Sequence, residues 1–155
     1  MTTVARMRLP DAARVALYHK DFFGVPMGAW TQATMRGPSP WSVGERELMA
    51  AMVAKWNSCA FCEGAHGAVA AKEMQRPPTL VFLEIMTLRP TKLTPGHARA
   101  VLGAGVSAEA LTDAIAVGAI FNIVTRYADA LDFTLPTADE FERAASMLLK
   151  RGYAS

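Results

Sequence analysis

The stretch "WNSCAFCEGAHGAVAAKEM", residues 56–74, holds the two cysteines of the chain and one of its three histidines. On a helix, at about 100° per residue, Cys59, Cys62 and His66 fall within roughly 60° of one another. Cysteines at i and i+3 have a Cα separation that suits a disulfide, so this pair can pass between dithiol and disulfide with little backbone change. Cys59 falls in the first turn, where unpaired N–H groups and the helix dipole favour a thiolate. His66 is four residues after Cys62, so its imidazole neighbours that sulfur directly. A thiol beside a histidine at a helix start is an arrangement for making a nucleophile. The dipole favours Cys59 as the attacking sulfur and the imidazole favours Cys62. The reading adopted from sequence is attack by Cys62, with Cys59 resolving.

Other chemistry competes for the same residues. A free cysteine behaves as a small hydrophobe, and a pair of them can be core filler. Structural zinc draws four ligands from two separated pairs; here one pair exists, and His19 and His97 stand alone. A thioredoxin-type site needs βαβ units, which the sequence does not offer.

The elements that would position the thiols read as helices throughout, because apolar residues recur at three and four rather than alternating. Residues 10–23 form one helical segment, followed by a Gly- and Pro-punctuated connection at 24–40, "GVPMGAWTQATMRGPSP". A helix then runs from Ser42 to about Trp56, with Glu45 completing a capping box. Asn57 or Ser58 caps the cysteine helix, from about Cys59 to Gln75. Further helices fit 79–89, 94–104 (Thr94 cap, Pro95 first, Gly105 as stop), 107–131 (Ser107 cap) and 137–151 (Thr137 with Glu140). The expectation is one all-α domain, a helical bundle over 1–155.

In "SVGERELMAAMVAKW", Glu45 has a capping task, and Glu47 has none. Glu47 shares a stripe with Ala51, Ala54 and Ser58, all small, so another helix can approach and carry the carboxylate into a packed contact. A buried carboxylate needs a partner. The thiols and His66 are candidates for it; the alternative is an exposed first-turn Glu favoured by the dipole.

Sixteen basic and fourteen acidic residues, spread without a block, argue against nucleic acid or an anionic membrane as the main partner. The N-terminal segment has no continuous apolar run, and "LVFLEIM" is too short to span a bilayer, so no membrane and a cytoplasmic location are expected. Hydrophobic residues make up 52% of the chain, with nine methionines, which for so small a domain points to a subunit contact. Trp41, Trp56, Phe61 and the 24–40 connection are candidates for an apolar mouth, or for core and subunit contact.

The pattern Glu47–x11–Cys59–x2–Cys62–x3–His66 resembles the carboxymuconolactone decarboxylase/AhpD-like superfamily, in its alkylhydroperoxidase branch. "RGPSPWSVGERELMAAMVAKWNSCAFCEGAH" is similar to that family's core segment. "AVLGAGVSAEALTDAIAVGAIFNIVTRYADAL" resembles its later helix pair, with Asn122 and Arg126 in the "FN-x-x-x-R" stretch; these two are read as structural. The resemblance covers about 35–133. It implies an AhpD-like helical bundle, homo-oligomers (trimers or hexamers), no bound cofactor, and reduction of hydroperoxides by a cysteine pair that an external dithiol or protein reductant restores. It also implies that Glu47, Cys59, Cys62 and His66 form the active site. Peroxidase members can carry a relay histidine immediately before the second cysteine, where this chain has Phe61. Decarboxylase members lack the cysteine pair. A disulfide oxidoreductase and a non-catalytic, redox-switched oligomer remain alternatives.

Overall fold

The structure, a computed structural model, describes residues 20–62 and 77–153. Every regular element among them is helical. A π-helical turn, Lys20–Gly24, leads into α1 (Val25–Arg36), followed by α2 (Val43–Trp56), α3 (Pro77–Leu88), a 3-10 turn at Pro90–Lys92, α4 (Pro95–Gly103), α5 (Ala108–Ala130) and α6 (Ala138–Arg151). Residues 60–62 are helical as well. The expected helices over 10–19 and 63–75 lie outside the described residues.

One expectation is corrected. Residues 25–36, read as a connection, are helix α1. Pro26 sits in its first turn, where a missing N–H costs nothing. Gly28 faces the C-terminal turn: a Cβ there would stand 3.6 Å from the Tyr153 carbonyl oxygen. The proline that suggested a loop thus marks a helix start, and a side chain at Gly28 would make only ordinary contact.

The other starts follow their caps. Ser42–Glu45 and Thr137–Glu140 form reciprocal capping boxes, and Ser107 Oγ accepts the Ala110 N–H. Thr94 pairs with His97 in the same way, which accounts for that histidine.

α5 is the centre of the bundle. It is long and apolar enough to cross a membrane by length and composition, yet Ala110, Leu111, Ala114, Val117, Gly118, Phe121, Thr125 and Ala128 form a stripe buried in protein. At Gly118 a Cβ would lie 2.4 Å from Met86 Cε and 2.9 Å from Leu83 Cδ2, so its absence lets α3 approach. α2 runs parallel to α5. At one end the buried Trp41 donates its indole N–H to the Ala110 carbonyl; at the other Asn57 donates to Thr125 Oγ1 and Asn122 Oδ1. Nearly equal lengths of helix separate the two bonds on each side, so the helices finish level with one another. Asn122 also donates to Thr87 Oγ1 and accepts from Arg126, which ties α3 into the same joint.

α2, α4 and α5 end in the same closure. In each, the residue after the cap has positive φ: Ser58 at 57°, Gly105 at 88°, Asp132 at 50°. The next residue donates its N–H back to the carbonyl five before it: Cys59 to Ala54, Val106 to Val101, Phe133 to Ala128. This is the Schellman arrangement, with its apolar pair between the donor residue and the acceptor residue. Only one of the three left-handed positions is glycine. Removing the Cβ at Ser58 relieves a conformation that costs an L-residue about 1–2 kcal/mol, against a smaller entropic loss. Ser58→Gly is therefore expected to raise stability by about 0.5–1 kcal/mol, and Gly105→Ala to lower it by about 1 kcal/mol, both read from urea midpoints.

Candidate active site

The α2 closure delivers the thiols. Ser58 turns the chain, Cys59 donates its N–H to the last turn of α2, and residues 60–62 start the next helix. Cys59 therefore occupies the N-cap position, which the sequence reading assigned to Asn57 or Ser58. The Asn57 side chain is committed to α5 instead. Cys59 Sγ accepts the backbone N–H of Cys62, as an N-cap oxygen would, and the two thiols are hydrogen-bonded to each other.

Both cysteines are free and buried, at 1% and 2% exposure. They share a small apolar cluster with Ala54 and Ala128, the two Schellman acceptors, flanked by Phe61, Val124 and Phe133. Phe61 packs edge-on to Phe133, with centroids 5.1 Å apart, and lies 6.2 Å from Phe141 of α6. Trp41 takes no part: it is a core residue, and Trp56 packs on the same core. Of the residues expected at an apolar mouth, Phe61 alone is beside the thiols.

The balance of forces on the sulfurs opposes the sequence argument for a ready thiolate. Burial raises the Cys59 thiol above its ordinary value; the Cys62 N–H and thiol pull it back, and the Asp129 carboxylate pushes it up. Burial raises Cys62 further, and Cys59 and Asp129 add to the effect. Desolvation outweighs the helix start. Within the pair, hydrogen bonds converge on Cys59, so the first negative charge belongs there.

Glu47 is fully buried. Its Oε1 accepts Arg36 Nη2 at 2.7 Å and the Tyr153 hydroxyl at 3.0 Å. The Arg36 guanidinium lies 5.0 Å from the centre of the Tyr153 ring. Burial, then the Glu47 charge, pushes the Tyr153 hydroxyl well above its usual range, so it stays a donor. Glu47 is thus carried into a packed contact, as the small-residue stripe implied, and its partners there include an arginine and a tyrosine that sequence reasoning did not name. Along α2 it precedes Ala54 by two turns, about 10 Å. Arg46, next to it in sequence, is also buried and donates to the Thr34 and Gly37 carbonyls at the end of α1. Burial lowers its pKa, and the nearby Arg36 charge lowers it further.

The structure brings Cys59 and Cys62 together and places Glu47 on the Arg36–Tyr153 pair; His66 lies outside the described residues. Asp129, in the last turn of α5, was missed by the sequence reading. In "RYADALD" it has no local pattern; only the packing of two helix ends puts it at a sulfur. Among the described residues no group of three or more His, Cys, Asp or Glu side chains is placed to hold a metal ion.

No family model matches the sequence, and no curated protein does. Solved structures do match. One is an uncharacterized peroxidase-related protein from Silicibacter sp. TM1040, at TM-score 0.67 and 23% identity over 72% of this chain and 69% of that one. Another is described as alkylhydroperoxidase AhpD core, an uncharacterized peroxidase-related protein from Ralstonia eutropha JMP134. It aligns at TM-score 0.71 and 21% identity, over 84% of this chain and 78% of that one. The chain, helical in every regular element among its described residues, therefore has the AhpD core fold.

Two outcomes follow from the site. Arg36→Met leaves a buried carboxylate without its guanidinium and is expected to cost about 3–5 kcal/mol in urea unfolding, much of it recovered by adding Glu47→Gln. The raised thiols predict a pH effect of definite sign. The unfolded chain gives up its thiol protons near pH 8.5 while the folded chain holds them, so the reduced protein has its full stability below that pH. It should lose stability as the pH climbs toward the raised folded values, more steeply than a Cys59→Ser/Cys62→Ser double variant measured beside it.

Proposed function

We propose that this protein is a thiol-dependent peroxidase that reduces organic hydroperoxides through Cys59 and Cys62, which cycle between dithiol and disulfide. The observation that carries the reading is the thiol pair itself: two buried, mutually hydrogen-bonded sulfurs at the start of a helix, in an AhpD core fold. A thiolate attacks the O–O bond and becomes a sulfenic acid, the second thiol condenses with it to a disulfide, and an external dithiol restores the pair by exchange. Convergence of hydrogen bonds on Cys59 supports that sulfur as the attacking one, in place of the Cys62 assignment made from sequence. The flanking Phe61, Phe133 and Phe141 support a hydroperoxide with an apolar substituent.

Glu47 and His66 complete the proposed active site. Glu47 would act through an intermediary such as a water, because Ala51 and Ala54 separate it from the sulfurs along α2. The resting thiols are high in pKa, so the site needs a group to take the proton as the substrate arrives. The large exposed apolar side chains Phe22, Val25, Val81, Leu135 and Met147 support a homo-oligomer, proposed as a trimer or hexamer. A cytoplasmic location, with its reducing thiol pools, fits the cycle.

The test is a thiol count on reduced protein before and after stoichiometric cumene hydroperoxide, with intact mass and single Cys→Ser controls. Wild type should lose both thiols to an intramolecular disulfide, and Cys62→Ser should accumulate a sulfenic acid on Cys59. Survival of both thiols would overturn the reading and move disulfide exchange with another protein's thiols to the front.

A further inference from the structure

Among the described residues the thiol pair is packed by the apolar side chains of Ala54, Ala128, Phe61, Val124 and Phe133, and one charged side chain reaches it. Asp129 is exposed, yet its neighbour Ala128 is buried in the cluster that holds both sulfurs, and its carboxylate is hydrogen-bonded to Cys59. Two backbone bonds fix its position: the Asp129 carbonyl accepts the Leu131 and Asp132 N–H groups in the closure of α5. The same closure sets Phe133 over the sulfurs. The residue is exposed, and its carboxylate meets a buried thiol.

We propose that Asp129 is a catalytic residue that takes the proton of Cys59 and returns it to the leaving oxygen of the hydroperoxide. The assignment rests on the peroxidase reading above. As the Cys59 proton passes to the carboxylate, the sulfur attacks the hydroxyl oxygen of the hydroperoxide. An S–O bond forms while the O–O bond breaks; the sulfur is oxidised by two electrons and the peroxide reduced. The alkoxide that leaves takes the proton from Asp129 and departs as an alcohol, and the carboxylate is regenerated. Cys62 then displaces the sulfenic hydroxyl, which leaves as water with the Cys62 proton, and the disulfide closes.

The arrangement resolves a conflict in the site. A negative charge beside Cys59 discourages a standing thiolate, which would be a poor feature in a group that only had to ionise. It is a useful feature in a proton shuttle, because the carboxylate holds a thiol in place by its hydrogen bond and belongs to a residue open to solvent. Among the described residues Asp129 is the charged side chain that acts directly on Cys59.

A purely electrostatic role and a shuttle predict opposite results, and two reagents separate them. Alkylation by iodoacetamide needs a thiolate but no proton for its leaving iodide; reduction of cumene hydroperoxide needs both. In reduced Asp129→Asn protein, the negative charge that opposes ionisation is gone, so alkylation at pH 8 should hold or rise. Oxidation by the hydroperoxide should fall by about a hundredfold, the scale of a lost general acid–base group. Asp129→Glu should recover part of that loss. The proposal is overturned if the hydroperoxide rate of Asp129→Asn matches wild type, or if both reagents slow together, which would mark lost access. Wild-type protein inert to the hydroperoxide would remove the peroxidase reading and this role with it, an outcome distinct from a reactive wild type with an equally reactive variant.

Discussion

The structure depends on two parallel helices ending at the same level. α2 and α5 are bonded near their starts through Trp41 and Ala110 and near their ends through Asn57 and Thr125. Each then closes with a left-handed residue and a backbone bond five residues back. Because the closures match, Ala54 and Ala128 fall in one cluster, which includes Cys59, the donor to Ala54, and against which Phe133, the donor to Ala128, packs. The thiol pair is therefore a product of helix termination. Cys59 belongs to both elements, satisfying the last turn of one helix with its N–H and capping the next with its sulfur.

That placement sets the electrostatics. The end of α5 brings the Asp129 charge to the site, and two helix C-termini add their partial negative charge, while the helix that begins at Cys59 contributes the opposite sign. Burial among alanines and phenylalanines decides the outcome in favour of neutral thiols. Thiols held in this state are weak nucleophiles until their proton is taken. Such a site differs in principle from one that stores a low-pKa thiolate, which is reactive toward any electrophile that reaches it.

Much of this was legible in the chain. Ser42, Thr94, Ser107 and Thr137 announce helix starts because capping is chemistry between residues three apart, and Gly105 announces an end for the same local reason. The stripe of Glu47, Ala51 and Ala54 marks a helix face that another element covers, and the burial of Glu47 follows from it. What stayed hidden is of two kinds. Ser58 and Asp132 adopt left-handed backbone without glycine, so two of three closures carry no composition signal. Arg36, Asp129 and Tyr153 reach the polar groups from other helices or from the far end of the chain, and no spacing along the sequence encodes those meetings. Helix α1 was read as a connection because Pro26 and Gly28 look like loop residues until their positions, in the first turn of a helix, are known.

The two carboxylates near the site end in opposite circumstances, and that contrast orders the chemistry. Glu47 is sealed inside the bundle with a guanidinium and a phenol on one oxygen, an arrangement in which its charge is matched and its position fixed. Arg36 in turn comes from the end of α1, and Tyr153 from just beyond α6, where Gly152 takes a positive φ and Gln32 accepts the Tyr153 N–H. The first and last described helices are thereby anchored on one buried charge, which makes Glu47 a centre of the fold whatever else it does. Asp129 has the reverse assignment, an exposed carboxylate with little structural task and direct contact with a sulfur. A proton leaving Cys59 has a short path to Asp129 and a path of two helical turns to Glu47. On distance alone, the exposed carboxylate is the nearer of the two to Cys59.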